Sequence, residues 1–345
     1  MKACPFGTHR VIEPKGVLPQ PAWKVDNDMD RDIENEIIID VTRLNIDSAS
    51  FRQIKEEVGD DEKKVAEKIL SVVAERGKMH NPVTGSGGML IGAVARISSE
   101  MSKKHGVKVG DNVASLVSLS LTPLKIDNIT KVHLQKEQVE VEGKAVIFES
   151  GVVAKIPQDM PQPLALSILD VAGAPIQTAR LVKPGDTVMV LGAGGKSGML
   201  CSYVAKKIAG KVGKVIGLIH HNNKRAELEE LGVCDIILQT DATDAVGVYH
   251  MVNDATEGKL CDVTINVVNA PNTEMSCILS TKDRGLVYFF SMATSFTKAA
   301  LGAEGVGKDV DMIIGNGYAK DHAEYAIAIV KESEKLYELF KKRYS

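Results

Sequence analysis

Residues 187–198, Thr-Val-Met-Val-Leu-Gly-Ala-Gly-Gly-Lys-Ser-Gly, constrain the fold of this chain most strongly. A short apolar run ends in a glycine cluster, which leads directly into a helical pattern over residues 199–209. A strand, a glycine turn and a helix in this order can hold a pyrophosphate, because glycine allows close backbone approach and the helix N-terminus offers free N–H groups. Gly192, Gly195 and Gly198 fit the spacing G-x-x-G-x-x-G, for which a plain turn is the alternative interpretation.

Length and composition are those of an ordinary globular protein. The chain has 345 residues, 44% hydrophobic and 25% charged, enough for two domains. The net charge of −3 argues against nucleic acid and anionic membranes as partners, and no apolar run approaches the roughly 18 residues of a membrane span. The first residues lack an apolar signal core, so we expect a cytoplasmic protein. Five scattered cysteines without a C-x-x-C spacing argue against a disulfide scaffold or a clustered zinc site.

The two halves of the chain differ in their patterns. Short strands dominate the first 160 residues, interrupted by one predicted helix over residues 60–76, which Gly77 ends. The strands are predicted at 36–44, 92–97, 112–119, 145–149 and 152–156. From residue 164 onward strands and helices alternate, which predicts a doubly wound parallel sheet with its ligand at the carboxyl ends of the strands. Five strands are predicted at 188–191, 214–219, 235–238, 262–268 and 285–291, with helices between them and a last helix over 322–343.

The order of these halves resembles the medium-chain dehydrogenase/reductase superfamily. Residues 181–190 look like that superfamily's lead-in to the glycine turn, residues 107–113 resemble its turn before a strand, and residues 225–232 resemble its helix ending in Leu-Gly. The resemblance implies an α/β chain with two domains. A GroES-like β-rich catalytic domain would span 1–163, with 318–345 returning to it, and a Rossmann domain binding NAD or NADP would span 164–317.

Two segments resemble one particular family within this superfamily. Residues 7–20 and residues 80–89, His-Asn-Pro-Val-Thr-Gly-Ser-Gly-Gly-Met, are similar to the L-erythro-3,5-diaminohexanoate dehydrogenase family of anaerobic lysine fermentation. This resemblance implies NAD(P)-dependent oxidative deamination of the 3-amino group of a diamino acid, giving 5-amino-3-oxohexanoate and ammonia, and a homodimer. The alternatives are a zinc-free quinone or enoyl reductase of the same fold, and a non-catalytic NAD(P)-binding sensor. A pocket of only apolar and amide groups would favour the reductase.

The superfamily's zinc positions are largely vacant in this sequence. Its zinc enzymes use a Cys, a His-Glu pair and a late Cys or acid, positions that fall on Ile46, on Gly88 and Met89, and near Asp170. Only one of these could bind a metal, whereas a zinc site needs at least three protein ligands, so we predict no metal. An amine substrate is compatible with that prediction. A hydroxyl as weakly acidic as water has a pKa of about 15.7, so its deprotonation suits a Lewis-acidic metal. An alkylammonium has a pKa of about 10.4, which a positioned carboxylate or imidazole can deprotonate without a metal.

The catalytic candidates are Asp47, His80 and Asp170. Asp47 and Ser48 follow the vacant first-ligand position, where the resemblance implies proton-relay residues. His80 and Asn81 lie in a polar, glycine-rich loop, and a histidine suits a general base near neutral pH. The alternatives are an Asx turn for Asp47, a surface histidine for His80 and a helix N-cap for Asp170.

A diamino acid carries two ammonium groups and one carboxylate, so its pocket needs both acidic and basic side chains. Glu149 and Asp170 are candidates for the amines, with Ser48 and Asn81 as further polar contacts. Arg10, Arg76 and Lys78 are candidates for the carboxylate. Solvated surface charge is the alternative for each charged residue.

The cofactor candidates follow predicted strands. Gly192, Gly195, Lys196, Ser197 and Gly198 would surround the pyrophosphate. The second strand is followed by His220, Asn222 and Arg225, without the carboxylate that usually binds the ribose of NAD, so NADP is permitted as well. Val268 and Ser291 follow later strands and would face the nicotinamide. The insertion between Ile46 and Gly88 would be a lid or an interface.

Overall fold

The computed structural model describes residues 2–315 and 317–344, which form two compact units. The first unit extends to Leu166 and includes Tyr344, and the second extends from Ser167 to Arg343. Within the described residues, no helix combines the length and the apolar character needed to cross a bilayer.

Antiparallel strands build the first unit. The strands are β1 (Val11–Glu13), β2 (Lys24–Val25), β3 (Glu36–Ile46), β4 (Gly88–Arg96), β5 (Asn112–Ser115), β6 (Leu124–His133), β7 (Gln138–Phe148) and β8 (Val153–Lys155). Six of them form a sheet in the order β6-β7-β3-β4-β5-β8, and β1 pairs with β2 separately. The central strand β3 is rich in isoleucine and pairs with β7 from Glu36 opposite Phe148 to Asn45 opposite Gln138.

Three α-helices and a short 3₁₀ helix (Thr8–Arg10) complete the first unit: α1 (Ser48–Val58), α2 (Glu62–Arg76) and α3 (Ser99–His105). Helix α2 confirms the predicted helix, and its side chains Val65, Ile69, Val72 and Val73 are buried. It ends at Gly77, whose φ of 70° and whose position against the carbonyl of Val25 both require glycine. Helix α1 and the β6–β7 hairpin were not predicted.

Parallel strands build the second unit. They are β9 (Thr187–Leu191), β10 (Lys214–Ile219), β11 (Ile236–Gln239), β12 (Cys261–Asn266), β13 (Thr281–Phe289) and β14 (Asp311–Ile314), the last of which was not predicted. Their order, β11-β10-β9-β12-β13-β14, is that of a Rossmann sheet in which β9 is the first strand. The predicted α/β class, with a β-rich domain and a doubly wound dinucleotide-type domain, is confirmed.

The helices from residue 162 onward alternate with these strands or follow them. They are α4 (Gln162–Leu169), α5 (Gly173–Leu181), α6 (Lys196–Ala209), α7 (Arg225–Leu231), α8 (Ala245–Ala255), α9 (Glu274–Ser280), α10 (Phe296–Val306), α11 (His322–Glu332) and α12 (Glu334–Tyr344), with a 3₁₀ turn at Asn222–Lys224.

The C-terminal region differs from the sequence-based prediction in two ways. The single helix predicted over 322–343 is broken at Ser333, where the backbone is extended. Residues 318–343 also belong to the second unit rather than returning to the first, because α11 packs on α5 and α6. The observed division after Leu166 lies close to the predicted boundary at 163/164.

Candidate functional site

The glycine turn after β9 has the geometry of a phosphate-binding loop. Gly192 has a φ of 86°, which favours glycine. A Cβ on Gly198 would lie 2.1 Å from the Gly192 carbonyl oxygen, so the turn and helix α6 approach each other too closely for any side chain there. The N–H groups of Gly192 and Ala193 both donate to the carbonyl of Leu218, at 3.0 and 3.1 Å. The turn is therefore held by the neighbouring strand β10.

The N-terminus of α6 follows the glycine turn directly. Its N-cap is Gly195, so no side chain at that position caps the helix. The main-chain N–H groups of Ser197 and Gly198 belong to the first turn. These groups and the positive end of the helix dipole are the features that bind pyrophosphate in Rossmann folds. The residues present thus fit a dinucleotide, and the five predicted pyrophosphate residues lie together at this turn.

The remaining predicted cofactor residues lie at the same edge of the sheet. Leu191 is opposite both Leu218 and Asn266, and Asn266 is opposite Phe289, so the four central strands end level with one another. Asn266 is fully buried and organises two of the loops. Its side-chain oxygen accepts from Val268 N at 3.0 Å, and its main-chain carbonyl accepts from Ser291 N at 3.2 Å. Val268 also packs on the glycine turn, 3.0 Å from where a Gly192 Cβ would be.

The segment after β10 holds the predicted ribose-binding residues. The rings of His220 and His221 are in contact, with centroids 4.1 Å apart and planes tilted by 56°, and both side chains are exposed. Asn222 Oδ1 accepts from Arg225 Nε at 3.0 Å, and Arg225 Nη2 donates to the Ile237 carbonyl at 3.1 Å. Asn222 and Arg225 therefore support each other and the adjacent strand β11, and their contact with a cofactor remains a prediction.

Asp170 lies in the turn between α4 and α5. It does not cap a helix, because the N-cap of α5 is Ala172, so the N-cap interpretation was wrong. Its carboxylate pairs with Lys196 Nζ at 2.7 Å, at the first residue of α6. Asp170 therefore lies beside the glycine turn of its own unit.

Asp47 is at the centre of a hydroxyl cluster in the first unit. Its Oδ1 accepts from Ala49 N at 3.0 Å, capping α1, and from Ser86 Oγ at 2.9 Å. Ser86 Oγ lies 2.6 Å from Ser50 Oγ, which lies 2.6 Å from Thr84 Oγ1. Ser50 is fully buried and Thr84 is exposed. A chain of hydroxyl groups thus runs from the half-exposed Asp47 through Ser86 and Ser50 to the exposed Thr84.

Three residues of this cluster were not among the predicted site residues: Ser50, Thr84 and Ser86. Ser86 and Thr84 lie in the 80–89 segment that carried the narrower resemblance, which was the available signal. Ser50 is the third residue of a helix that was not predicted, and no sequence motif marks it.

Ser48 faces away from this cluster and donates to Glu137 in the β6–β7 hairpin turn. Glu137 has a φ of 58°, which the tight turn imposes. A cavity of about 410 Å³ opens beside it, and the ion pair of Lys55 with Asp60, at 2.8 Å, spans part of the wall. The lining residues are Phe51, Arg52, Lys55, Glu56, Gly59, Asp60, Leu134 and Glu137.

His80 is electrostatically unusual. Burial and the nearby charges of Lys78 and Arg76 lower the pKa of its imidazole to about 4. Its Nδ1 is buried and has no hydrogen-bond partner among the described residues. A general base works best when its pKa is near the working pH, so this lowered pKa makes the imidazole a weak base. The predicted base role of His80 stays a prediction.

The neighbouring cations are structural. Lys78 is fully buried, and its ammonium donates to the carbonyls of Pro19 and Gln20 at 2.6 and 3.1 Å. Burial, with a smaller contribution from Arg76, lowers its pKa to about 7. Arg76 donates to the carbonyls of Trp23 and His80 and stacks over the Trp23 ring. Both side chains are therefore committed to main-chain oxygens of the opening segment and the 80–89 loop.

Asn81 also has a local structural role. Its side-chain oxygen accepts from Val83 N at 2.8 Å, and its amide donates to Gln53 at 2.8 Å. These bonds join the 80–89 loop to α1 and place Thr84 and Ser86 beside Ser50. Any contribution of Asn81 to substrate binding remains a prediction.

Arg10 and Glu149 lie at the far end of the sheet from Asp47. Arg10 is fully buried and forms two hydrogen bonds with Glu36, at 2.9 and 2.6 Å. Glu149 follows Phe148, which is opposite Glu36, and is bound by Asn35 and Lys104. Ten residue steps along β3, at about 3.3 Å each, place this end roughly 30 Å from Asp47. The structure does not combine Arg10, Glu149 and Asp47 into one site.

Comparison with known proteins assigns the family. The family model for the L-erythro-3,5-diaminohexanoate dehydrogenase N-terminal domain matches residues 9–157. The L-erythro-3,5-diaminohexanoate dehydrogenase of Acetoanaerobium sticklandii is 59% identical over 344 residues, covering 100% of both chains. The protein of the same name from Fusobacterium nucleatum subsp. nucleatum is 57% identical over 99% of both chains. The chain belongs to the L-erythro-3,5-diaminohexanoate dehydrogenase family. It is therefore an oxidoreductase of the dehydrogenase type.

Solved structures share the fold of this diaminohexanoate dehydrogenase family member. A mycobacterial quinone oxidoreductase has a TM-score of 0.56 and 16% identity, over 95% of this chain and 87% of its own. A mycobacterial protein solved with NADPH has a TM-score of 0.53 and 16% identity, over 92% of this chain and 84% of its own. At this level of identity, the similarity shows the fold alone.

The vacant zinc positions have a structural cause in this member of the diaminohexanoate dehydrogenase family. Ile46 and Gly88 are opposite each other on β3 and β4. Gly88 has a φ of 116°, and a Cβ there would lie 2.0 Å from the Asn45 carbonyl oxygen, so no ligating side chain fits at this position. Among the residues that the structure describes, no three His, Cys, Asp or Glu side chains converge as a metal site requires. Metal independence itself remains a prediction.

Proposed function

We propose that this chain oxidatively deaminates L-erythro-3,5-diaminohexanoate at its 3-amino group, with NAD or NADP as the oxidant and without a metal. The observation that carries the proposal is full-length identity of 59% to a protein named for that activity. Substrate ammonium, oxidised cofactor and water give 5-amino-3-oxohexanoate, ammonium, reduced cofactor and one proton. The bound nicotinamide would accept the hydride from carbon 3, and the chain's own residues would position the reactants and move the proton.

The cofactor's diphosphate would be held by the chain at Gly192, Gly195, Lys196, Ser197 and Gly198. The glycine N-cap of α6, which carries no capping side chain, supports this role, as does the lack of space for a side chain on Gly198. Asn266 would keep the loops carrying Val268 and Ser291 in place through its two accepted hydrogen bonds.

Asp47 would accept the proton of the substrate ammonium. The hydrogen bond from Ser86 fixes its carboxylate, and the chain through Ser50 to Thr84 offers the proton a route to solvent. The oxidation releases one proton for each turnover, so a relay that ends at an exposed hydroxyl suits the reaction. Neutral His80 would contribute hydrogen bonding through its unpaired Nδ1 rather than base catalysis.

Reduction of NAD⁺ and NADP⁺, followed at 340 nm with chelator-treated enzyme and the diamino acid, tests this proposal. Turnover with an equal amount of ammonia supports metal-free amine oxidation, and the two rates compare the nucleotides. Nucleotide binding without turnover on the diamino acid contradicts the proposal. A screen of quinones and enones would then separate a reductase from a sensor.

We also propose that the chain forms a homodimer through β14. Within the part of the chain that the structure describes, β14 is the last strand at one side of its sheet, and its Ile313 and Ile314 are exposed. Exposed apolar side chains recur through the surrounding sequence, at Met292, Phe296, Leu301, Val306 and Tyr318. An apolar sheet edge is a template for pairing with another strand, and a second copy offers the same edge by two-fold symmetry.

Light scattering of the chromatographed protein tests the dimer. Ile314→Lys should give a monomer, whereas Val212→Lys, at an exposed valine in the turn before β10, should leave the mass unchanged. A monomeric wild-type protein contradicts the proposal.

A further inference from the structure

The β13–α10 loop, residues 290–295, is held at both of its ends by residues outside it. At its start, the N–H of Ser291 donates to the carbonyl of Asn266 at 3.2 Å. At its end, the N–H of Ser295 donates to Glu274 Oε1 at 2.6 Å. Asn266 is the last residue of β12 and Glu274 is the first residue of α9, so the neighbouring strand and the helix after it fix the loop.

Glu274 supplies an acceptor that helix α10 lacks in its own sequence. In a capping box, a Glu or Gln at the third position of a helix accepts from the N–H of the N-cap residue. The N-cap of α10 is Ser295, and the third position is Lys298, which has no acceptor to offer in return. The carboxylate of Glu274 on α9 takes that place, and Lys298 Nζ donates to Asn272 just before α9. The start of α10 is thus bound to the start of α9.

Burial makes the contact of Glu274 geometrically specific. Glu274 is 2% exposed, and a buried carboxylate is costly unless hydrogen bonds and favourable charge compensate it. The N–H of Ser295 provides the hydrogen bond, and the first turn of α9 provides the positive end of a helix. The preceding Thr273 is also buried, and its Oγ1 accepts from Asn266 Nδ2 at 2.8 Å. Asn266, Thr273 and Glu274 therefore form one buried polar segment that connects the two ends of the loop.

The β13–α10 loop lies at the carboxyl edge of the parallel sheet, where the nicotinamide of the proposed cofactor would bind. The loop carries Ser291, the residue predicted to face the ring. Ser291 Oγ accepts from Ala293 N at 3.2 Å, and its carbonyl accepts from Thr294 N at 3.3 Å. Because these bonds close the loop internally, a displacement of Ser295 would also displace Ser291.

We propose that Glu274 is a positioning residue for the nicotinamide ring, because it holds Ser295 and with it the β13–α10 loop in place. The inference rests on the proposed dinucleotide function. It concerns the nicotinamide end of the cofactor alone. The glycine turn that would hold the diphosphate follows β9, and β9 and β13 pair with opposite sides of β12. Loss of the Glu274 carboxylate should therefore leave the diphosphate site intact.

Calorimetric titration of the purified enzyme with paired ligands tests the inference. NADH is compared with ADP-ribose, and NADPH with 2′-phospho-ADP-ribose, because the second ligand of each pair lacks the nicotinamide ring. Glu274→Ala should weaken dinucleotide binding about tenfold and binding of the ring-free ligand less than about twofold. Glu274→Gln keeps an oxygen that can accept from Ser295 and should bind within about threefold of wild type. Glu304→Ala, at an exposed residue of α10, is the matched control and should bind as wild type does.

Several results would overturn the inference. Equal weakening of a dinucleotide and its ring-free partner by Glu274→Ala would show a purely structural role, and wild-type affinity for both would show that the loop does not depend on Glu274. If Glu274→Ala fails to fold, Glu274→Asp decides, because its shorter side chain keeps the charge but withdraws the carboxylate from Ser295. It should weaken the dinucleotide more than the ring-free ligand, and equal effects contradict the inference. Wild-type protein that binds none of the four ligands would overturn the proposed function as well, so the two failures are distinguishable.

Discussion

Ser86 Oγ donates a 2.9 Å hydrogen bond to Asp47 Oδ1, and the two residues come from opposite ends of the insertion between β3 and β4. The hydrogen bond therefore joins the two ends of the insertion directly, next to the paired residues Ile46 and Gly88. It also fixes the carboxylate that caps α1.

Replacement of Asp47 tests whether this residue is the general base. Asp47→Asn should lower kcat by about 10²- to 10⁴-fold, the usual contribution of general base catalysis. Asparagine is as good an N-cap as aspartate, so stability should change little. Asp61→Asn, at the N-cap of α2, is the matched control and should retain full kcat. A loss of less than about tenfold in Asp47→Asn would exclude Asp47 as the base.

Replacement of Gly198 tests the glycine turn. Gly198→Ala places a methyl group 2.1 Å from the Gly192 carbonyl and should weaken NADH binding at least about tenfold, because the turn must move. Gly305→Ala in α10 is the control, since nothing lies within 4 Å of the Cβ that it adds. Wild-type affinity for NADH in Gly198→Ala would contradict a pyrophosphate role for this turn.

His80 should make the protein sensitive to acid. Its pKa is lowered to about 4 in the folded chain, from about 6.5 when unfolded, so the unfolded state binds more protons between these pH values. The free energy of unfolding should therefore fall as the pH drops from about 6.5 to about 4, by at most about 3 kcal/mol. Urea titrations of wild type and His80→Asn across this range measure the effect. Parallel curves would show that His80 does not contribute.

Lys78 should make the free energy of unfolding depend on pH in the alkaline range. Its folded pKa of about 7 lies below the unfolded value of about 10.5, so the unfolded state binds the extra proton between them. The free energy of unfolding should rise with pH from about 7 to about 10, relative to Lys78→Met, by a few kcal/mol. Melting temperatures at pH 7, 8.5 and 9.5 for both proteins check this. A constant difference would show that Lys78 has an ordinary pKa.

Most of the fold was predictable from local sequence patterns. The glycine turn, helix α2 and five parallel strands were predictable because each is encoded in a few consecutive residues. Strand β14 was not, because it has four residues and three of them are exposed. Helix α1 was missed because its polar sequence buries only Ser50, Phe51 and Ile54.

The candidate site was less predictable, because the positions and surroundings of its residues depend on contacts between segments that are distant in the sequence. Arg10 and Glu149 looked equivalent to other charged candidates, and only the pairing of β3 with β7 shows that they lie at the far end of the sheet. His80 has the residue type of a base, but burial and two neighbouring cations change its chemistry. Glu274 gave no sequence signal, since it is 21 residues from the N–H group that it binds.

The pairing of Ile46 with Gly88 has a consequence for protein design. A cysteine at position 46 would need one substitution, but position 88 admits no side chain until the backbone of β3 moves away from it. A pair of metal ligands at these two positions therefore cannot be introduced by side-chain replacement alone. An engineer who wanted a metal here would have to rebuild β3 and β4 before choosing any ligand.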